Sequence, residues 1–244
     1  MQNNRDLTDT SKQQTESNLE FVHVLSHAFK TPLTVIKLYA DLMMDDLGQL
    51  DSATQYKYLS AIKASVDDMN FLLANTLNFQ KISCAKMEWH DDEVDIIRLI
   101  TRATYPFEVA CQTKEIPFSI NFALESLTAV IDAECLVQIV YNLLANSLKL
   151  ADKGGINVGL SVNDTAADQN IHLTIGHSGR GIPEEQLQIM RDSNKRSDEP
   201  EEMGLYVAKH IVAHYQGRLW AENTPGKGSA FHVELPLRQS GRSE

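Results

Sequence analysis

Cysteine is scarce. Cys84, Cys111 and Cys135 are far apart in 244 residues and form no C-x-x-C pair, so neither a disulfide framework nor a thiolate zinc site is expected. No run reaches the roughly 18 apolar residues of a membrane-spanning helix. The first 17 residues, MQNNRDLTDTSKQQTES, are polar where a leader peptide would be apolar. Basic charge is also short, 22 Lys plus Arg against 33 Asp plus Glu, for a net charge of -11. Such a surface repels nucleic acid and anionic bilayers unless a basic patch is concentrated locally, and the sequence contains no such patch. These absences lead to the expectation of a cytoplasmic chain with no nucleic-acid partner and no direct membrane contact.

What is present suffices for two small domains with a substantial core, 43% hydrophobic and 23% charged residues. Val22, Leu25, Phe29, Leu33, Ile36, Ala40, Met43 and Leu47 recur at spacings of three and four, which predicts one long helix. Gly48 and Asp51 punctuate it, and Leu59, Ile62, Val66, Met69, Leu73 and Leu77 form a second seam. The pair reads as an antiparallel hairpin, about Leu19–Leu47 and Ala53–Ile82, and pairing two copies into a four-helix bundle would bury the stripe that one hairpin leaves open. Past Met87 the pattern changes to β-rich runs at 156–162, 171–175, 218–222 and 230–235, alternating with helical stretches at 95–113, 133–150 and 205–215. Residues 164–169 read as a hairpin loop and 191–202 as a mobile polar segment. The expected division is a polar segment over 1–17, a helical hairpin over 18–85 and an α+β domain over 86–244.

Four fragments carry residues suited to chemistry. In Ser26–Leu33, His27 lies off the apolar seam, and Pro32 removes the amide that would bond the Ala28 carbonyl, bending the helix one turn beyond the imidazole. In Tyr141–Lys149, Asn142 and Asn146 share a helical face with Lys149 one turn on, an arrangement of hard carbonyl ligands and a cation suited to magnesium and phosphate. In His177–Pro183, Gly179 and Gly181 permit a close approach, and Pro183 is placed to start a helix. Pro225–Phe231 reads as a glycine-rich turn before a final strand. Taken singly, each fragment has a simpler structural reading as a surface histidine, a polar helix face or a turn. The spaced pairs His23/His27 and His210/His214 lack a third ligand and are read as non-metal. Cys84, Cys135, Trp89 and Trp220 are read as packing residues.

The order of the fragments is the specific signal. LSHAFKTPLT resembles the H-box of two-component sensor histidine kinases, YNLLANSLK their N-box, HSGRGIPEE their G1 box, MGLYVAKHIV the tail of their G2 box, and PGKGSAFHVELPL their closing hairpin. The resemblance covers almost all of the chain beyond the polar start. It implies a dimerisation and histidine-phosphotransfer hairpin followed by an α/β-sandwich ATPase-like domain of the Bergerat, or GHKL, fold. It also implies that His27 is the phosphoacceptor and that Thr31 assists dephosphorylation of a partner. Asn142, Asn146, Lys149, His177, Gly179, Gly181, Gly204 and Leu205 would then line an ATP site, with Asn142 and Asn146 as magnesium ligands. The implied partner is a response-regulator receiver domain bearing a phosphorylatable aspartate.

The chain departs from that pattern at four places. Ala28 stands where the family has an acidic residue that orients the imidazole and takes its proton, and His177 stands where it has an adenine-binding aspartate. Glu201, Glu202 and Met203 precede Gly204 in place of a glycine run, and no phenylalanine occurs between the G1 and G2 fragments. Loss of a positioned general base typically costs about 10² to 10⁴ in rate. Two readings follow from the sequence. One is a histidine kinase using ATP and magnesium; the other is a kinase-impaired dimeric adaptor, phosphotransferase or phosphatase that needs no cofactor.

Overall fold

The computed structural model describes residues 25–45, 50–84, 86–164, 169–192, 200–224 and 228–237. The polar segment over 1–17, His23, the seam residues Val22 and Leu47, the loop at 165–168 and the turn at 225–227 lie outside the described residues. The chain forms two compact units, Met1–Gln80 with Ser197–Met203 and Lys81–Arg196 with Gly204–Glu244.

The first unit is a pair of helices. Helix α1 covers residues 25–45 and stays helical through Pro32, and Thr34 Oγ1 donates to the Lys30 carbonyl at 2.8 Å beside the proline. Helix α2, Ser52–Ser83, starts at Asp51, whose Oδ1 accepts the Thr54 amide at 2.7 Å. That bond holds the Asp51 carboxyl below the usual carboxylate range. Ser65 and Thr76 sit mid-helix because each hydroxyl bonds back to the carbonyl four residues earlier. The helices meet at Tyr39 and Tyr58, ring centroids 5.1 Å apart. Leu33, expected on the buried seam, is 50% exposed, and the adjacent Pro32 is buried instead. A hairpin covers one side of each helix, and an apolar residue on the far side stays open. None of the described helices is long and apolar enough to cross a membrane.

The second unit is an α/β sandwich. Its main sheet runs β2-β4-β5-β7-β6, with β2 (Phe118–Phe122) parallel to β4 (Ala151–Asp164). β5 (Gln169–Gly179), β7 (Gly228–Pro236) and β6 (Arg218–Thr224) continue it antiparallel. Strict alternation puts Ile171, Leu173, Ile175 and His177 of β5 on the buried face, with Phe231, Val233 and Leu235 of β7 beside them. Helices α3 (Ile96–Thr113) and α4 (Ala133–Leu150) bring Ile96, Ile100, Ile139, Leu143 and Leu144 into this core, and Phe107 meets Tyr141 edge-on at 5.0 Å. Helix α5 (Glu184–Arg191) follows Pro183 as expected, and α6 (Pro200–His214) precedes β6.

Three expectations are corrected. β4 begins at Ala151, before a bulge at Gly155, whose φ of +105° suits glycine. Helix α6 begins at Pro200, so Glu201 and Glu202 are helical; residues 193–199 of the expected mobile segment lie outside the described residues. Cys84 is exposed, whereas Cys111 and Cys135 are buried. Burial, reinforced by the Asp132 carboxylate, pushes the Cys135 thiol up to about 12, which leaves it inert at neutral pH.

A small ribbon, β1 (Asp91–Asp95) antiparallel to β3 (Thr128–Asp132), was not foreseen. Its strand DDEVD has no apolar alternation, and polar bonds hold it. Asp132 caps α4 by accepting the Glu134 and Cys135 amides, accepts the His90 amide at 2.9 Å, and donates its own amide to the Tyr215 hydroxyl at 3.0 Å. Tyr215 in turn donates to Asp91 Oδ1 at 2.6 Å. Burial and the Asp91 carboxylate raise the phenol pKa, so Tyr215 stays a neutral donor. Trp89 closes the cluster by stacking on His214 at 3.6 Å. Tyr215→Phe removes both bonds and strands a buried amide, so the expected loss is about 1–3 kcal/mol, measurable as a lower urea midpoint with unchanged slope.

Candidate functional site

His27 is exposed on α1, and Thr31 is exposed one helical turn on. Ala28 offers no group that could take a proton from the imidazole. A solvent-facing imidazole is within reach of a phosphoryl group without rearrangement of the helix.

The remaining candidate residues belong to the second unit. Asn142 and Asn146 face inward on α4 and are buried. Asn146 Nδ2 donates to the Asn142 carbonyl at 2.8 Å, and Asn142 Oδ1 receives Gln138 Nε2 at 3.4 Å. Asn142 Nδ2 has no partner. Lys149 is exposed in the last turn, where its charge also complements the helix dipole.

His177 follows Ile175 on the covered face of β5 and is 3% exposed, with neither ring nitrogen hydrogen-bonded. Burial lowers its pKa below the ordinary histidine value, against smaller opposing effects of the Ser178 backbone and then Asp152, and so favours the neutral ring. Gly179 adopts φ +130°, and a Cβ there would collide with the Leu150 carbonyl. Its close approach is thus to the backbone at the end of α4. Gly181 is exposed against Asn223, where a Cβ would lie 3.3 Å from the amide nitrogen. Gly204 and Leu205 are buried inside α6 rather than in a loop.

Two positioning residues escaped the sequence reading. Asn223 of β6 clamps the loop after β5, accepting the Ile182 amide at 2.9 Å and donating to the Ile182 carbonyl at 3.0 Å, while Ser229 donates to its Oδ1 at 2.6 Å. Lys209 of α6 donates to the carbonyls of Ile189 and Asp192 and so ties the middle of α6 to the C-terminal end of α5. Neither belongs to a spaced pattern, because each acts through a contact distant in sequence.

Two family models match in this order along the chain. Residues 17–84 match the His Kinase A (phospho-acceptor) domain, and residues 131–239 match the histidine kinase-, DNA gyrase B-, and HSP90-like ATPase. The chain belongs to the two-component sensor histidine kinases. Among similar proteins, the adaptive-response sensory kinase SasA of Synechococcus sp. (strain JA-3-3Ab) is 27% identical over 226 residues, 90% of this chain and 59% of SasA. The sensor histidine kinase WalK of Bacillus subtilis (strain 168) is 24% identical over 241 residues, 96% of this chain and 39% of WalK. The kinase core thus spans less than two thirds of these relatives. The fold is shared with Acinetobacter baumannii histidine kinase AdeS, with a TM-score of 0.58 at 16% identity over 87% of this chain and 98% of that one. Histidine kinase ThkA in complex with response regulator protein TrrA has a TM-score of 0.58 at 20% identity, covering 95% of this chain and 65% of the solved one.

The family implies ATP and magnesium, and the side chains of this kinase core fit them in part. The unpartnered nitrogens of Asn142 and His177 are buried polar atoms that a polar ligand would satisfy. The donor set for the base is altered, however, since a neutral imidazole accepts at one nitrogen only and cannot take an amino group as a carboxylate does.

Proposed function

We propose that this histidine kinase core works in cytoplasmic two-component signalling as a homodimer, with His27 as the phosphoacceptor that exchanges phosphate with an aspartate of a response-regulator receiver domain. The observation that carries this reading is an exposed imidazole on the first helix, within the segment that matches the phospho-acceptor domain. In the exchange a neutral ring nitrogen attacks the phosphorus of the aspartyl phosphate. The P–N bond forms as the P–O bond breaks, and the carboxylate leaves. The ThkA complex with a response regulator supports the choice of partner. ATP and magnesium, when bound, supply the alternative phosphoryl donor, and Asn142, Asn146 and Lys149 are the residues that would hold them.

A second reading, in which transfer from ATP is impaired, rests on the residues that stand at the boxes. Ala28 supplies no base, His177 presents a neutral ring where the family presents a carboxylate, and Glu201 and Glu202 fall within helix α6 just before Gly204. Calorimetric titration of the protein with MgATP is expected to show affinity too weak to measure. Micromolar binding that Asn146→Ala abolishes would instead establish the active kinase. The signalling role is tested independently. Incubation with a phosphorylated receiver should move label to histidine, giving an acid-labile and base-stable adduct, or release it as phosphate. A receiver that keeps its label as long as it does alone, across the response regulators of the source organism, would overturn the proposal.

A further inference from the structure

The face of the main sheet opposite the helices carries an unassigned histidine pair. Alternation along β5 buries Ile171, Leu173 and Ile175 and turns His172 and Thr174 to the other side, where His232 of β7 and Trp220 of β6 join them. His172 Nε2 lies 3.3 Å from His232 Nδ1, and Thr174 Oγ1 lies 3.4 Å from the same Nδ1. The rings are nearly parallel, 15° apart. Trp220 stacks against both, at 5.6 Å from His172 and 5.0 Å from His232, and holds the Glu222 carboxylate at 3.2 Å from its Nε1.

Two metal–imidazole bonds of about 2.0–2.1 Å meeting at a cis or tetrahedral angle place their nitrogens about 2.9–3.4 Å apart. The observed separation falls in that span. A simple His–His hydrogen bond would use one lone pair and one proton; a metal ion uses both lone pairs, each ring keeping its proton on its other nitrogen. We propose that His172 Nε2 and His232 Nδ1 form an open two-imidazole site for a late first-row divalent cation, Cu²⁺ ahead of Zn²⁺, with Thr174 Oγ1 beside the pair. Among the described residues no three His, Cys, Asp or Glu side chains converge on one point. Water therefore completes the coordination, and the ion exchanges. The preference for copper follows the general ordering of divalent ions at nitrogen sites.

The stacked Trp220 provides a reporter, because Cu²⁺ at the pair would quench its emission. Titration of the intact protein with copper chloride in a non-chelating buffer at neutral pH should give one such ion per chain, with zinc binding more weakly. Electron paramagnetic resonance of the copper form should show two coordinated imidazole nitrogens. His172→Phe and His232→Phe keep a stacked ring without the ligand, and each should weaken binding by at least about tenfold, the scale on which even outer-shell changes act. Trp220→Phe should abolish the quench and leave the calorimetric affinity unchanged. If a phenylalanine variant fails to fold, judged by its circular dichroism, the wild-type resonance spectrum decides alone. Fewer than two imidazole nitrogens, or undiminished binding in a folded double variant, would overturn the assignment.

Discussion

The chain with His27→Ala should transfer no phosphoryl group at all, whether the donor is MgATP or a phosphorylated receiver, while folding and dimerising as the wild type does. The side chain is exposed and off the packed face of α1, so alanine, a better helix former, removes the nucleophile without opening a cavity. Thr31→Ala should give a different outcome. Label should still reach His27, but the receiver should lose its phosphate more slowly, by up to about 10²-fold if the hydroxyl positions the attacking water. Ala28→Glu sharpens the comparison. A carboxylate one residue after the histidine restores a proton acceptor, so it should raise labelling from ATP by about 10²-fold or more only if ATP is bound. If Ala28→Glu leaves ATP labelling at background while transfer from the receiver proceeds, the deficiency lies in the nucleotide site. Wild-type levels of phosphohistidine in the His27→Ala chain would place the acceptor on another histidine and end the proposal.

The sequence revealed elements with regular apolar spacing and missed those held by polar contacts. The seam of α4 and the alternating strands β5 and β7 are legible because burial imposes a period of 3.6 or 2 on the apolar residues, whereas the α2 seam keeps the helical spacing but stays half-exposed in the single chain. The ribbon β1–β3 is not, since Asp91–Asp95 has no such period and is fixed by Asp132 and Tyr215, partners 83 residues apart in sequence. The start of α6 was misjudged for a related reason. Pro200, Glu201 and Glu202 are polar and read as loop, yet proline and acidic residues suit the first turn of a helix. At the candidate site, the order of the boxes singled out Asn142, Asn146 and His177. Their side-chain states lay beyond the sequence. Whether Asn146 turns back to its own helix, or both nitrogens of His177 end without partners, depends on how closely the sheet and α4 pack. The His172–His232 pair was invisible because its members are 60 residues apart and join through strand register.

The isolated protein should behave as a dimer, with a light-scattering mass of twice 27.3 kDa at micromolar concentration. In the single chain, Leu59, Val66, Leu73 and Leu77 of α2 are 53%, 42%, 48% and 49% exposed, and successive members lie seven or four residues apart along one face. A stripe of that length on a solvent-facing helix is unusual in a monomer, and it is the spacing that a neighbouring helix fills. Full burial of a Leu or Val side chain contributes about 1.5–3 kcal/mol. Half-exposed residues gain roughly half of that, so four of them in each of two copies supply about 6–12 kcal/mol, of the order of the 4–15 kcal/mol that association costs. Further exposed apolar residues of the hairpin, Leu33, Leu38, Met44 and Tyr56 among the described ones, are available to tip the sum toward assembly. Such a balance is sensitive to charge. Leu59→Glu with Leu73→Glu would bury four carboxylates in the two-fold interface, and the double variant should run as a monomer while the ATPase-like domain keeps its melting transition. Ile62→Pro should do more damage, because an interior proline costs about 3 kcal/mol before any packing is lost. A strictly monomeric wild type at these concentrations would show that something other than a second copy covers the stripe, and would remove the four-helix bundle from the proposed mechanism.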